Sequence, residues 1–557
     1  MKKIYIKILS ALIAPLLVAG CIEESFPEGA TQVQKQVGES EFALTGLVNA
    51  FPVSMTSVDV TSFYSKYETH TDFGLPAIHL MTESMLEDIA IQGAEPGYWS
   101  FNYWSRNVGM NDQSWPIGYF WENYYAYIKV ANDVISVIPV SDNMPPVAKT
   151  YLGQAYAYRA MYYLDLARMY EPKENNYTDI SAVKGLTVPI VSDKTTPEQA
   201  SNNPRVPREE MYEFILSDLA EAVKYLKDAP TAYTSPSLAA AYGLLARAYL
   251  EKGYWKEGGD IEAFKEAYKY ADLAITTSGK TPLTNDEWHN PTTGFNDGSA
   301  VNSWILGIPV SSENVGNIIA FSAHMAAETQ YGYTTLTQPG INKELYDVIT
   351  DGDFRKNSYL SPNTDTWVGP NSPYKYAGTT EDRDIFLSYF AKPYSTLKFR
   401  PAKGNCTNST IANEADHCLM RVEEMYFIKI EAMAHYDATG AFNQLKSFMA
   451  KRMLPGYTYS PELLAVDTQS VIDEMFLQKR IEFWGEGILF FDYKRLNKGI
   501  KRRYDGTNHP GIWQFNTTGR SPQWNFVINR GEFQANTGIT KETNNPDPSG
   551  LLTNTTE

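Results

Sequence analysis

The run GYWSFNYW, from Gly97 to Trp104, places five aromatic rings in eight residues. Such a run either fills a core or offers flat rings to a ligand. It follows Glu95-Pro96-Gly97, a turn signal, so it begins at a loop or an edge. In an extended chain Trp99, Phe101 and Tyr103 share one face, while Tyr98, Asn102 and Trp104 share the other. One face can then pack while the other meets a ligand. The chemistry on offer suits a saccharide. An indole or phenol covers an apolar C–H face at low entropy cost. Asn102, bracketed by Trp99 and Trp104, carries paired donors and acceptors for vicinal hydroxyls.

A second set of rings, Trp288, Phe295, Trp304, Tyr331, Tyr333 and Trp367, lies among Asn, Thr and Gly. Rings on polar loops are exposed more often than rings on periodic helices, although core packing is the alternative for each. Tyr124, Tyr125, Tyr156, Tyr158, Tyr162 and Tyr163 sit instead at helical spacing and are expected to mediate helix stacking. Arg159 and Asp165, on the same stretch, read as a solvated or paired structural set.

Catalytic constellations are harder to find. Glycoside hydrolysis needs two carboxylates at a defined separation, one of them protonated. Glu482 and Glu486 stand four apart on one helical face and read as ion-pairing or capping groups. There is no Gly-x-Ser-x-Gly, His-Glu-x-x-His or phosphate loop, and the seven histidines are scattered. Asp351-Gly352-Asp353 with Arg355 hints at a cation loop, yet two acids do not fill the roughly six oxygen positions calcium takes. No metal, cofactor or enzymatic activity is expected.

The elements that must position these residues follow from the rest of the chain. Its 557 residues suffice for several cores or one extended architecture. A net charge of −17 repels phosphate backbones, which argues against nucleic acid as a partner. The start, MKKIYIKILSALIAPLLVAGC, has basic Lys2, Lys3 and Lys7, then a short apolar stretch, then Val18-Ala19-Gly20-Cys21. Small residues before a cysteine resemble the bacterial lipobox, in which Cys21 would be acylated. An anchor of two or more acyl chains is stable where one holds marginally. The acidic IEESFPEG that follows resembles the surface-export signal of Bacteroidetes lipoproteins. Two cysteines then remain, Cys406 and Cys418. In an oxidising compartment a disulfide between them would close an Asn/Thr-rich loop and stabilise by roughly 3 kcal/mol.

Residues 1–20 are thus read as a signal peptide and 21–40 as a lipidated tether. From 41 to 280 the period is helical: Trp121, Tyr125, Ile128, Asn132 and Ile135 recur at steps of three and four. Leu152-Gly153-x-x-Tyr156 and Leu245-Ala246-x-x-Tyr249 match the first-helix pattern of tetratricopeptide repeats, and Ala267, Ala271 and Ala274 supply small-residue spacing. Each helix pair leaves an apolar face that stacking must cover. Residues 281–415 are rich in Pro, Gly, Asn, Thr and Ser and predict a loop-rich insertion with short strands. Helices return over 416–500, and 501–557 is irregular. The fold class is mainly α, an α–α superhelix with a loop-rich second subregion.

QKRIEFWGEGILFFDYKRLNKG resembles the C-terminal signature of the SusD/RagB family of Bacteroidetes outer-membrane lipoproteins, through Glu482-Phe483, Glu486-Gly487, Phe490-Phe491, Asp492, Lys494 and Arg495. RVEEMYFIKIEAMAH, with Arg421, Glu424, Tyr426 and Glu431, is similar to the family's preceding helix. YAYRAMYYLDLARMY is similar to an earlier one, through Arg159, Ala160, Tyr162 and Tyr163. Only Lys479 and Arg480 stand where the family often has a longer basic run. The resemblance implies a non-enzymatic, lipid-anchored cell-surface protein of the outer membrane. It would bind an oligosaccharide or polysaccharide and deliver it to a SusC-like TonB-dependent transporter. It also implies ligand-contacting residues in the early loop and in the loop-rich half: the rings of Trp99, Trp104, Trp288, Phe295, Tyr331, Tyr333 and Trp367, with the amide of Asn102. A surface glycoside hydrolase, a peptide-cargo carrier or a protein-only scaffold of the same fold are the alternatives.

Overall fold

Helix boundaries follow their capping chemistry. The computed structural model describes residues 40–56, 71–93, 110–313 and 318–551. The leader, Cys21 and the run holding Trp99, Asn102 and Trp104 lie outside the described residues. Helices α1 (Glu41–Thr56) and α2 (Leu75–Ser84) lead into α3 (Trp115–Val137) and α4 (Pro146–Tyr170). The last three carry proline in the first turn, where a missing N–H costs nothing. In α5 (Arg208–Leu226), Glu209 and Glu210 face the positive end of the helix dipole. Ser237 and Asp260 cap α6 (Leu238–Gly253) and α7 (Ile261–Ser278) by accepting from the Ala240 and Ala263 N–H groups. Gly279, at φ 62°, stops α7.

Each of these helices from α3 to α7 packs on the next. Close approach is built into the sequence: a Cβ on Gly153 would stand 2.8 Å from Leu226 Cγ, and Ala267, Ala271 and Ala274 of α7 are fully buried. The tyrosines do meet between helices. Tyr127 of α3 lies 5.4 Å from Tyr162 of α4, and Tyr156 of α4 stacks on Tyr225 of α5 at 6.4 Å. Arg159 is buried and paired, donating to both oxygens of Asp218 and to Asp193 at 2.8 Å. Asp165 accepts from Tyr124 and pairs with Arg168.

Helix α7 packs next on α8 (Val422–Ala434), which leads to α9 (Ala438–Met449), α10 (Thr468–Glu482) and α11 (Leu489–Arg495). The helical array therefore passes over residues 281–415 and resumes beyond them. Four short strands serve that insertion: β1 (Ile89–Ile91), β2 (Trp304–Ile308), β3 (Pro339–Ile341) and β4 (His417–Arg421). The antiparallel pair β2–β4, with a bulge, ties the two ends of the insertion together just ahead of α8. One continuous core runs from Leu44 to Ile539, and a small satellite core lies within the insertion. Among the described residues no helix is long and apolar enough to cross a membrane.

The turn between α10 and α11 explains the Glu-Gly dipeptide. Gly487, at φ 83°, lies so close to His79 that a side chain has no room. Its N–H and that of Leu489 donate to Glu83 Oε1 of α2, at 3.0 and 3.1 Å. Burial pushes the Glu83 carboxyl up to about 8. Glu482 accepts from Arg355 (3.0 Å), Arg421 (2.8 Å) and Arg452 (2.8 Å). Glu486 accepts from Lys398 (2.6 Å) and Arg421 (2.8 Å). Burial alone would raise Glu482, but Arg452, Arg421 and Arg355 outweigh it and hold that carboxyl well below the ordinary range.

Candidate functional site

The last described residues before the aromatic run, up to Gly93, belong to a small sheet. Strand β1 pairs antiparallel with β3, Ile89 opposite Ile341 and Ile91 opposite Pro339. Beyond β1, Gln92 N–H donates to Gln338 O and Gly93 N–H to Thr337 O (2.9 Å). Gly93 presses so closely on the Leu336 carbonyl that any side chain would collide with it. On the other edge of β3, Ile341 N–H donates to Tyr394 O and Thr396 N–H to Pro339 O. Gln338 (φ 47°) and Tyr394 (φ 71°) flank this strand in the left-handed region, two of the four such non-glycine residues among those described. Each conformation costs about 1 kcal/mol or more, strain of the kind that gathers at functional rims.

The turn before β3 carries two predicted rings. Tyr331 is half-buried, and its hydroxyl donates to Asn413 Oδ1 at 3.2 Å. Tyr333 is buried and stacks on His324 with centroids 4.3 Å apart. Between them Gly332, at φ 78°, approaches the Ala323 carbonyl, where a Cβ would stand 2.9 Å away. Leu336 points outward. Alongside runs a helix, Thr380–Ile385, continued by a π-turn over Phe386–Phe390. Its start is tied to this turn by Gln330 donating to Asp382 Oδ1 (2.8 Å), and its end leads into Tyr394 on the β3 edge. The π-turn leaves Tyr389 74% exposed, an open ring on a segment backed by the satellite core of Leu360, Trp367, Phe386 and Leu397.

The other predicted rings turn inward, which corrects the expectation that they face a ligand. Trp288 is 1% exposed, donates to Ser358 Oγ at 2.8 Å and meets Phe295 edge-on at 4.7 Å. Both rings cover cations of the buried network: Lys398 Nζ lies 5.3 Å from Trp288 and 4.8 Å from Phe295. Trp304 is sealed in β2, and Trp367 donates to Ser361 O from the satellite core. Polar loops here enclose their own rings because each ring caps a charge or fills a small core. Of the predicted residues that are described, Tyr331 and Tyr333 come together at the rim, and only Tyr331 keeps an open edge.

The cysteines also differ from expectation. Cys406 and Cys418 are free. Cys418 is held opposite Gly307 in the β2–β4 ladder, whereas Cys406 is buried beside the Gly404 carbonyl, its own carbonyl accepting from Gln330 N–H. Asp353 is enclosed by Arg355, while Asp351 is exposed and pairs with Lys356 at the surface. Tyr389 is not among the rings singled out in the sequence: it lies in the loop-rich stretch 281–415, and the π-turn that rotates its ring outward has no composition signal.

A family model described as "Starch-binding associating with outer membrane" matches residues 54–250, and one described as "SusD family" matches residues 247–546. The chain belongs to the SusD/RagB family. "SusD-like protein P2" of Formosa agariphila is 24% identical over 539 residues, covering 94% of each chain. A SusD-like carbohydrate binding protein from Bacteroides vulgatus is 20% identical, with a TM-score of 0.68, over 90% of this chain and 97% of that one. Surface glycan-binding protein A from Bacteroides thetaiotaomicron, solved with laminarihexaose, shares the fold at a TM-score of 0.61 and 16% identity, over 91% of this chain and 99% of that one. In this SusD/RagB chain the family's C-terminal signature is the buried charge network, and the rim around β3 is where the exposed ring of Tyr389 and backbone strain coincide.

Proposed function

We propose that the protein is a lipid-anchored, cell-surface receptor that binds an oligosaccharide or polysaccharide and delivers it, uncleaved, to a SusC-like TonB-dependent outer-membrane transporter. Cys21 carries the anchor. Trp99 and Trp104 supply stacking faces, Asn102 supplies the polar fork, and Tyr331 and Tyr389 extend the contact along the rim. One observation carries this reading: the strand that leads towards the aromatic run ends on a rim with an exposed ring, Tyr389, while the conspicuous acidic pair, Glu482 and Glu486, is sealed under arginines. A general acid must be protonated and must reach its substrate. Glu482 is neither, which supports binding over cleavage. The laminarihexaose complex of the structural neighbour supports the same ligand class.

A glycan array, followed by incubation of each hit with the purified protein and an assay for new reducing ends, tests the reading. Binding without new reducing ends is the expected result. New ends would make the protein a hydrolase. Binding of no glycan, with a transporter still co-purifying, would leave a protein-only scaffold.

A further inference from the structure

We infer that the protein has a second ligand site, apart from the rim, that takes a small organic cation: a primary ammonium or guanidinium group on an apolar body. The site is a cavity of about 630 Å³ between α3, the segment 189–203 and the short helix Arg530–Ala535. That volume falls within the roughly 300–1,000 Å³ of small-molecule sites. Its walls are tied to one another. Asn203 N–H donates to Asn536 Oδ1 (2.8 Å), and Asn536 Nδ2 donates back to Asn203 O (2.7 Å) and to Glu532 Oε1 (2.8 Å). From α3, Trp121 Nε1 donates to Glu532 Oε2 at 3.1 Å.

The polar groups of this cavity are one-sided. Every donor-bearing side chain of the lining is already engaged. Besides Trp121 and Asn536, Tyr125 OH donates to Pro189 O (2.7 Å), Asn203 Nδ2 to Ile190 O (2.8 Å) and Ser201 Oγ to Glu198 O (2.9 Å). Pro189 and Pro197 have no N–H to give, and Val191 N–H donates to Tyr163 at 2.7 Å. What the lining still offers is carboxylate oxygen, from Glu532 and from Glu122, which also accepts from Asn529. Among the described residues no lysine or arginine lines the cavity, and the donors on the half-buried Glu532 are neutral. A ligand must therefore bring N–H donors, and one that also brings positive charge makes the stronger, charge-assisted hydrogen bonds. A hydroxyl or carboxylate finds no donor for its own oxygens. The Trp121 and Tyr125 rings, 4.8 Å apart, form an aromatic wall whose open part is the half-buried Tyr125, a surface that attracts cations. Val191, Ala200 and Ala535 supply apolar contact for the body of the ligand.

Calorimetry of the full mature chain with probes of one shape tests this: tyramine (ammonium), tyrosol (hydroxyl) and 4-hydroxyphenylacetate (carboxylate), with agmatine for the guanidinium group. Tyramine or agmatine should bind with a Kd of about 1 mM or tighter, and tyrosol and 4-hydroxyphenylacetate about ten-fold more weakly or worse. Glu532→Gln keeps the shape and one acceptor oxygen while removing the charge, and should weaken the cation about ten-fold. Ala200→Trp fills the cavity from a half-buried surface position and should abolish binding with the melting temperature unchanged. Three outcomes would each overturn the inference: equal affinity for the three tyramine-shaped probes, no binding of either cation up to about 10 mM, or cation binding that survives both variants unchanged. The cavity shares no residue with the rim at β3, so the glycan reading stands or falls separately.

Discussion

Two regions of this molecule use the same residue types to opposite ends. Around Glu482 and Glu486, carboxylates, arginines and aromatic rings are packed so completely that Glu482, Arg355 and Arg452 are each 0% exposed. Around β3, rings and charges sit at the edge of the same insertion, and Tyr389 stands open. Composition alone does not distinguish the two. What separates them is whether neighbouring groups satisfy each charge and cover each ring. A sealed network can only hold the fold; an open ring can do work on something else.

The comparison breaks hardest at Glu482. Glu482→Gln leaves Arg355, Arg421 and Arg452 buried around a neutral amide, and removing one partner of a buried ion pair costs about 3–5 kcal/mol. Urea denaturation should show that loss. Unchanged stability would mean that the network is not what holds the insertion to the helices.

Glu83 gives the next largest effect, through pH. Its folded value is raised to about 8 from 4.5, so the folded state holds the proton more tightly. Its contribution is therefore complete below pH 4.5 and falls as pH rises towards 8, by on the order of 4 kcal/mol. Glu83→Gln mimics the protonated acid and should flatten that fall. Stability curves of wild type and variant that stay parallel from pH 5 to 8 would contradict the assignment.

How much of this was legible in the chain? Helices α3 to α8 were, because their apolar period, first-turn prolines and Ala or Gly contacts are local signals. So was the structural role of Glu482 and Glu486, once they were placed on the family signature. The fate of Trp288 and Phe295 was not. Their partners, Lys398 and Arg421, lie about a hundred residues downstream, and no local pattern announces a cation–π contact formed at that separation. The cysteines are a similar case: twelve residues of spacing permit a disulfide, yet both are free, and the β2–β4 pairing that places Cys418 opposite Gly307 is a long-range fact.

Binding variants sharpen the open side of the comparison. Trp99→Ala with Trp104→Ala should weaken binding of the cognate glycan by about 2 kcal/mol or more, as loss of central aromatic anchors does, with little change in folding. Calorimetry showing intact affinity would remove the run from the site. Tyr389→Ala should cost about 1 kcal/mol of affinity, and less than about 0.5 kcal/mol of stability because the ring is exposed. Tyr389→Phe should bind as wild type if the ring face is what matters. A stability loss without an affinity loss would place Tyr389 with the sealed rings instead.

The smallest effect is expected at the cysteines, and its smallness is informative. If Cys406 and Cys418 were bridged, reduction would release a loop constraint worth roughly 3 kcal/mol. The fold has no such bridge, because β4 is held by its ladder and the segment around Cys406 by Gln330. A reducing agent should therefore leave the melting temperature of the mature chain where it was. Cys418→Ser is the finer probe. It swaps a nearly buried thiol for a hydroxyl that has no partner waiting in β4, so it should lower stability in oxidised and reduced buffer alike. A reductant-sensitive melting temperature that Cys418→Ser abolishes would show that the strand yields to form the bridge, and that the ladder is softer than its hydrogen bonds imply.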